Sequence, residues 1–154
     1  MMRVTMEFPF TLLDTAVSDN RKRRLHWTVN ALHVRETRNA WGWEAKRQLL
    51  EDPELERRLS SLLPPLFLEW RVYFGRRREL DADNIMASLK PGRDGLVAAG
   101  VRAGAGPKVV RGSSVEQLYG EAFPRIELVI RDVEWEAWAP LPDNRAVSEG
   151  PGGW

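Results

Sequence analysis

A chain of 154 residues is long enough for one domain with a sizeable core and too short for two ordinary domains with separate cores. Its 43% hydrophobic and 29% charged residues, with seven Trp, exclude a solvated disordered chain, and the absence of Cys excludes disulfides, thiolate metal cages and cysteine nucleophiles, which leaves metal chemistry to carboxylates. The net charge of +1 conceals an asymmetry, since residues 20–111 carry 19 Lys and Arg against 11 Asp and Glu while residues 112–154 carry 3 against 8, and a basic body of this kind suits a polyanionic partner.

Thr5 to Leu13 has the composition of a strand, with Pro9 placing it at a sheet edge or a strand end, where a missing N–H is tolerated. A polar turn, Asp14 to Asn20, leads into the basic run Arg21-Lys22-Arg23-Arg24 and then Leu25-His26-Trp27. From Thr28 to Leu50 the residues Ala31, Val34, Trp41, Ala45 and Leu49 recur at helical spacing, with Arg35, Arg38, Lys46 and Arg47 between them, which predicts an amphipathic helix with a basic outer face. Asp52-Pro53 supplies a cap and a first-turn Pro for a shorter helix through Leu55, Leu59 and Leu62, ended by Pro64-Pro65.

The clearest strand signal runs from Leu66 to Phe74, where Leu66, Leu68, Trp70, Val72 and Phe74 alternate with Phe67, Glu69, Arg71 and Tyr73. A second helix is expected from Asn84 to Ala99, marked by Ile85, Met86, Leu89, Leu96 and Ala99, with a kink or restart at Pro91 and a left-handed cap at Gly100. Lys108 to Tyr119 reads as a short strand or hairpin, and Arg125 to Val133 as a strand with Ile126, Leu128 and Ile130 on one face. Residues 1–138 then form one domain, and residues 139–154, rich in Pro and Gly, have the composition of a flexible tail. No run approaches the roughly 20 apolar residues of a membrane span, and Met1 to Phe10 lacks the apolar run of a signal peptide, so no membrane partner is expected and the cytoplasm is the expected location.

The segment with the most chemical potential is Arg76-Arg77-Arg78-Glu79-Leu80-Asp81-Ala82-Asp83-Asn84, where a well-patterned strand runs into a helix N-terminus. Two Asp two residues apart in extended chain project to one side and can share a hard cation, while Asn84 or Asp83 is placed to cap the helix. Magnesium is commonly held by one or two carboxylates, with water and substrate phosphate oxygens completing the shell, and three Arg immediately upstream suit a phosphate backbone. The competing reading makes Asp81 and Asp83 turn and cap residues that screen an exposed Arg triplet, because Asp-x-Asp is a frequent pattern. His26 and His33 lack a third ligand for zinc and read as interface, surface or core residues. The spacing of Trp27, Trp41, Trp43 and Trp70 favours core or dimer packing over stacking on unpaired bases.

From Arg76 to Val101 the sequence resembles the central motif of the RusA family of Holliday-junction resolvases, in its Arg-rich strand end, Asp-x-Asp-Asn, a helix with Leu-Lys-Pro and Asp-Gly-Leu, and Ala-Gly-Val. Weaker similarity upstream, in Asn20 to Trp27 and the Arg/Trp-rich helix, and downstream, in Pro107 to Val110 and Val115-Glu116-Gln117, extends the likeness over roughly residues 18–133. The resemblance implies an α/β (α+β) fold, a small mixed sheet packed by two main helices, in a homodimer. It also implies an Mg²⁺-dependent endonuclease, with Mn²⁺ as an alternative ion, acting on four-way junctions and other branched DNA in recombination and repair, inside a bacterial or phage-infected cell. By that resemblance Asp81 and Asp83 match the paired metal aspartates, Lys90 the helix lysine that assists phosphate binding or catalysis, and Asn84 the helix-opening Asn. Gly104 and Ala105 stand where the family carries an acidic pair that supplies a third carboxylate; of the substitutes Asp94, Glu116 and Glu79, Asp94 lies about three helical turns, ~16 Å, beyond Asp83, and Glu116 on the adjoining strand is the better geometric candidate. DNA phosphates are assigned to Arg21, Lys22, Arg23, Arg24, Arg76, Arg77, Arg78 and Lys108. The alternative is a degenerate RusA-like protein that grips branched DNA without cutting it.

Overall fold

The computed structural model describes residues 2–13, 27–75, 82–101, 110–120 and 123–132. They form strand β1 (Arg3–Pro9), a 3₁₀ turn (Phe10–Leu12), helices α1 (Trp27–Glu51) and α2 (Pro53–Ser60), strand β2 (Leu66–Phe74), helix α3 (Ala82–Ala98), and strands β3 (Val110–Tyr119) and β4 (Arg125–Asp132). The strands make one mixed sheet in the order β1-β4-β2-β3, antiparallel except for the parallel pair β2 and β3, which α3 joins as a crossover. This is an α+β fold with a small mixed sheet, as the sequence implies.

Alternation decides which sheet face is covered. Leu66, Leu68, Trp70, Val72 and Phe74 of β2, Val4, Met6 and Phe8 of β1, and Ile126, Leu128 and Ile130 of β4 are all buried and share one core with α1, α2 and α3. Trp41 of α1 is fully buried at its centre, with its ring 4.6 Å from Phe8 and 5.8 Å from Trp70, and its Nε1–H donates to the Leu12 carbonyl at 3.1 Å. That hydrogen bond gives the polar atom of a buried indole a partner and ties the 3₁₀ turn to the helix.

The two main helices cross at glycines. A Cβ on Gly95 of α3 would lie 2.3 Å from the Arg38 carbonyl oxygen and 3.0 Å from the Gly42 nitrogen of α1, and one on Gly92 would enter the Trp41 ring at 2.6 Å. Backbone contact this close fixes the height of α3 above the sheet. Helix α3 runs without a break from Ala82 to Ala98 although it contains Pro91, where the sequence predicts a kink or restart. Pro91 and Gly92 are buried in the turn that α1 packs against, and tertiary packing of this kind sustains a helix across a missing hydrogen bond.

Local signals hold at the remaining ends, with two corrections. The Asp52 side chain accepts from Glu54 N (3.1 Å) and Leu55 N (3.2 Å) with Pro53 in the first turn. Asp52→Ala is expected to cost about 1 kcal/mol, read as a lower urea midpoint at unchanged slope, with Asp52→Asn retaining most of it. At the end of α3, Gly100 adopts φ 89°, Gly100 N–H donates to Val97 O and Val101 N–H to Leu96 O, a Schellman cap that seats Val101 in the core. The first strand ends at Pro9 rather than Leu13, because the chain turns there and Leu13 N–H closes on the Phe10 carbonyl. Helix α3 opens at Ala82, so Asn84 lies inside its first turn and is not the cap; its carbonyl accepts the Ser88 hydroxyl at 2.8 Å. Among the described residues no helix is long and apolar enough to cross a membrane.

Candidate functional site

The parallel pair β2 and β3 with α3 above it forms a cleft of about 400 Å³, within the range of small-ligand pockets. Helix α3 contributes Met86, Leu89, Lys90, Arg93 and Asp94, while Trp70 of β2 and Ser113 of β3 come from the sheet. Asp83 precedes Lys90 by seven residues, two helical turns, so the two share one side of α3 about 10 Å apart along its axis. Both are exposed. Buried Ile85, Ser88, Leu89 and Leu96 hold the opposite side against the core, and this phase turns Asp83 and Lys90 outward.

Charge separates the two faces of the sheet. On the face away from the helices, Arg131 Nε donates to Glu69 at 2.8 Å, Arg125 Nε to Glu127 at 3.2 Å, and Arg71 lies 3.8 Å from Glu69 and 3.9 Å from Glu127. Arg125 and Arg131 also stack over the rings of Tyr73 and Phe67. Burial, together with a 3.1 Å hydrogen bond to the Glu127 carboxylate, pushes the Tyr73 phenol above its ordinary pKa. Each of these cations has a carboxylate within 4 Å in the sheet. In the α3 cleft, by contrast, Lys90 and Arg93 have no ion pair among the described residues, so their charge is available to an anion.

The register of β3 decides the standing of Glu116. Glu116 pairs with Arg71, and Val115 with Trp70, so Val115 and Ser113 face the helices while Glu116 is exposed on the other face. A carboxylate there cannot join Asp83 at a metal, which removes Glu116 as the substitute third ligand. Among the described residues no three His, Asp or Glu side chains converge. A magnesium ion would find Asp83 on the exposed side of α3, and its second carboxylate, Asp81, lies outside the described residues with Arg21, Lys22, Arg23, Arg24, Arg76, Arg77, Arg78, Glu79, Gly104, Ala105 and Lys108. The donor set fits a hydrated two-carboxylate site only with Asp81 included, since Asp83 alone is a single ligand.

The tryptophans divide. Trp41 and Trp70 are core residues, while Trp27 and Trp43 are 74% and 72% exposed, Trp43 beneath Lys46 at 5.6 Å. His33 is half-buried within α1, and His26 lies outside the described residues. Arg93 and Ser113 belong to the cleft although neither is a candidate by sequence. The three-residue step from Lys90 to Arg93 along one helix face is the signal that could have found the first, and nothing in the weakly patterned β3 marks the second. Compared with family models and with curated proteins, the chain matches none.

Proposed function

We propose that the chain is a RusA-like, Mg²⁺-dependent endonuclease that binds branched DNA and resolves four-way junctions. The observation that carries this reading is the shared exposed side of α3, which holds Asp83 and Lys90, the two described residues that match the family's metal and phosphate positions, and where Lys90 lines a cleft with Arg93, neither in an ion pair among the described residues. Magnesium, held by Asp81 and Asp83, would supply a polarised phosphate and an activated water when bound. Lys90 places a positive charge where charge develops on the phosphate, and Arg93 extends that charge by one turn. The Arg76-Arg77-Arg78 triplet stands in the sequence between β2 and α3 and supplies cations suited to the phosphate backbone of the DNA. Replacing all three by Ala is expected to weaken junction binding at least tenfold at moderate salt and to flatten the salt slope by about one for each phosphate no longer neutralised. Unchanged binding would reassign the triplet to solubility.

A two-fold assembly follows from the substrate, because a four-way junction is close to two-fold symmetric and its resolution needs two related nicks. Helix α1 supports that pairing: its first ten residues bury nothing, and Val29, Leu32, Trp43 and Leu50 are exposed on it. Sedimentation equilibrium at micromolar concentration should give about twice the 17.6 kDa chain mass, and a monomer would remove the symmetry argument. The second reading, binding without cleavage, is favoured by the outward orientation of Glu116, which leaves the missing third carboxylate without a replacement on β3. The test of function is whether the purified protein nicks a synthetic four-way junction in magnesium but not in EDTA.

A further inference from the structure

Four arginines among the described residues are half-buried, Arg71, Arg93, Arg125 and Arg131. Three of them have a carboxylate within 4 Å on the face of the sheet away from the helices. Arg93 has no ion pair among the described residues, although the Asp94 carboxylate lines the same cleft. A guanidinium that gives up part of its water without gaining an anion is poorly compensated, and an anion from outside the chain restores the balance. The floor of the cleft is closed core, since Trp70 and Leu89 are 2% and 1% exposed, so a ligand is held at the rim by charge and hydrogen bonds. Lys90, Arg93 and, from the facing strand, the Ser113 hydroxyl are the donors there, and with Asp94 counted the rim keeps one net positive charge. A guanidinium fork gives two donors to one oxyanion, and a phosphate keeps further oxygens for a donor on the other wall. A phosphodiester also carries the single negative charge that balances this rim.

Arg93 follows Asp83 by ten residues on α3, about 15 Å along the helix axis. Ser113 stands near the start of β3, and the return of α3 between two parallel strands brings it level with this later half of the helix. We propose that the rim of the cleft binds a phosphodiester of the DNA strand separate from the one at the Asp83 end, with the Arg93 guanidinium on one side and the Ser113 hydroxyl on the other. The inference rests on the reading of the chain as a DNA-binding protein and adds the course of the strand, along α3 from Asp83 past Lys90 to Arg93. Arg93 is then a binding residue and takes no part in the chemistry at Asp83.

Two probes on the full chain test it, inorganic phosphate and a four-way junction carrying one neutral methylphosphonate linkage at successive positions. In sodium phosphate, against sodium chloride of equal ionic strength, the wild type should melt a few degrees higher. Arg93→Gln, which keeps part of the stem and removes the charge, should lose most of that rise. Arg35→Gln, at an exposed site on α1, should keep it, and the general stabilising action of phosphate as a salt is common to both variants. In anisotropy titrations of the junction, Arg93→Gln should flatten the salt slope by about one. A neutral linkage should weaken wild-type binding several-fold at one position along the strand, and Arg93→Gln should show no further loss at that position. Such coupling without a response to free phosphate upholds the site as one that takes phosphate only within a strand. A phosphate response that needs Arg93, beside junction binding that ignores Arg93, overturns the strand course and assigns the cleft to a small phosphate-bearing molecule. An Arg93-dependent phosphate response with no junction binding at all leaves a phosphate site standing and removes the proposed function. If the junction binds but Arg93→Gln and Arg35→Gln behave alike with both probes, the site falls and the proposed function stands. No response to either probe removes both.

Discussion

Gly95→Ala is expected to lower the melting temperature by about 10 °C, against the usual rule for a glycine inside a helix. Replacing a mid-helix Gly by Ala ordinarily stabilises by about 0.5–1 kcal/mol through backbone entropy. At Gly95 the new methyl would sit 2.3 Å from the Arg38 carbonyl oxygen and 3.0 Å from both Gly42 N and Trp41 Cβ. These are mainly backbone atoms of a packed helix, so the two helices must separate rather than a side chain swing away. Overpacking of this kind costs about 1–3 kcal/mol and more when backbone must move, and at the upper end it outweighs the propensity gain. For a chain of this size each kcal/mol of destabilisation lowers the midpoint by a few degrees. Gly42→Ala is the internal control, since its methyl would meet only the Gly95 carbonyl at 3.2 Å, and it should be close to neutral. A raised midpoint for Gly95→Ala would refute the close crossing, and with it the placement of Asp83 and Lys90 that the crossing fixes.

Ala105→Asp is expected to raise junction cleavage in magnesium more than tenfold, or to create it. The resemblance places an acidic pair where this chain has Gly104 and Ala105, and the register of β3 removes Glu116 as the replacement. A site with two protein carboxylates leaves more of the coordination shell to water than one with three. Loss of one member of a catalytic constellation costs powers of ten in rate, and its restoration recovers part of that. Glu116→Gln, on the face away from α3, should leave cleavage unchanged. If the wild type already cuts at full rate and Ala105→Asp adds nothing, the third position is filled by another residue; if Glu116→Gln abolishes cleavage, the orientation assigned to β3 is wrong.

Features that depend on a few adjacent residues are legible in the sequence. The two-residue alternation from Leu66 to Phe74 marks β2 to its last residue because one face is buried along its whole length. Asp52-Pro53 and Gly100 mark helix ends because their backbone requirements are local. Long-range features are not legible. Strand β3 has too weak an alternation, with Val115 and Leu118 on opposite faces, to show which side Glu116 takes, and that is decided by pairing with β2. Pro91 argues for a break when read alone, and packing of α1 against the Gly92 and Gly95 turns overrides it. The cleft itself joins residues from β2, α3 and β3, so Ser113 has no local signature at all.

Cleavage of a synthetic four-way junction by the purified protein, in magnesium and in EDTA, with Asp83→Asn beside the wild type, decides whether the exposed side of α3 is an active site. Asp83 is exposed, so its amide variant should fold and bind the junction as the wild type does. The expected result is paired nicks in magnesium, none in EDTA, and a loss of at least a hundredfold for Asp83→Asn at unchanged junction affinity. Tight binding with no cleavage by the wild type would select the non-cleaving reading. Cleavage that persists in EDTA, or that Asp83→Asn leaves intact, would contradict the assignment of the exposed side of α3 as the active site.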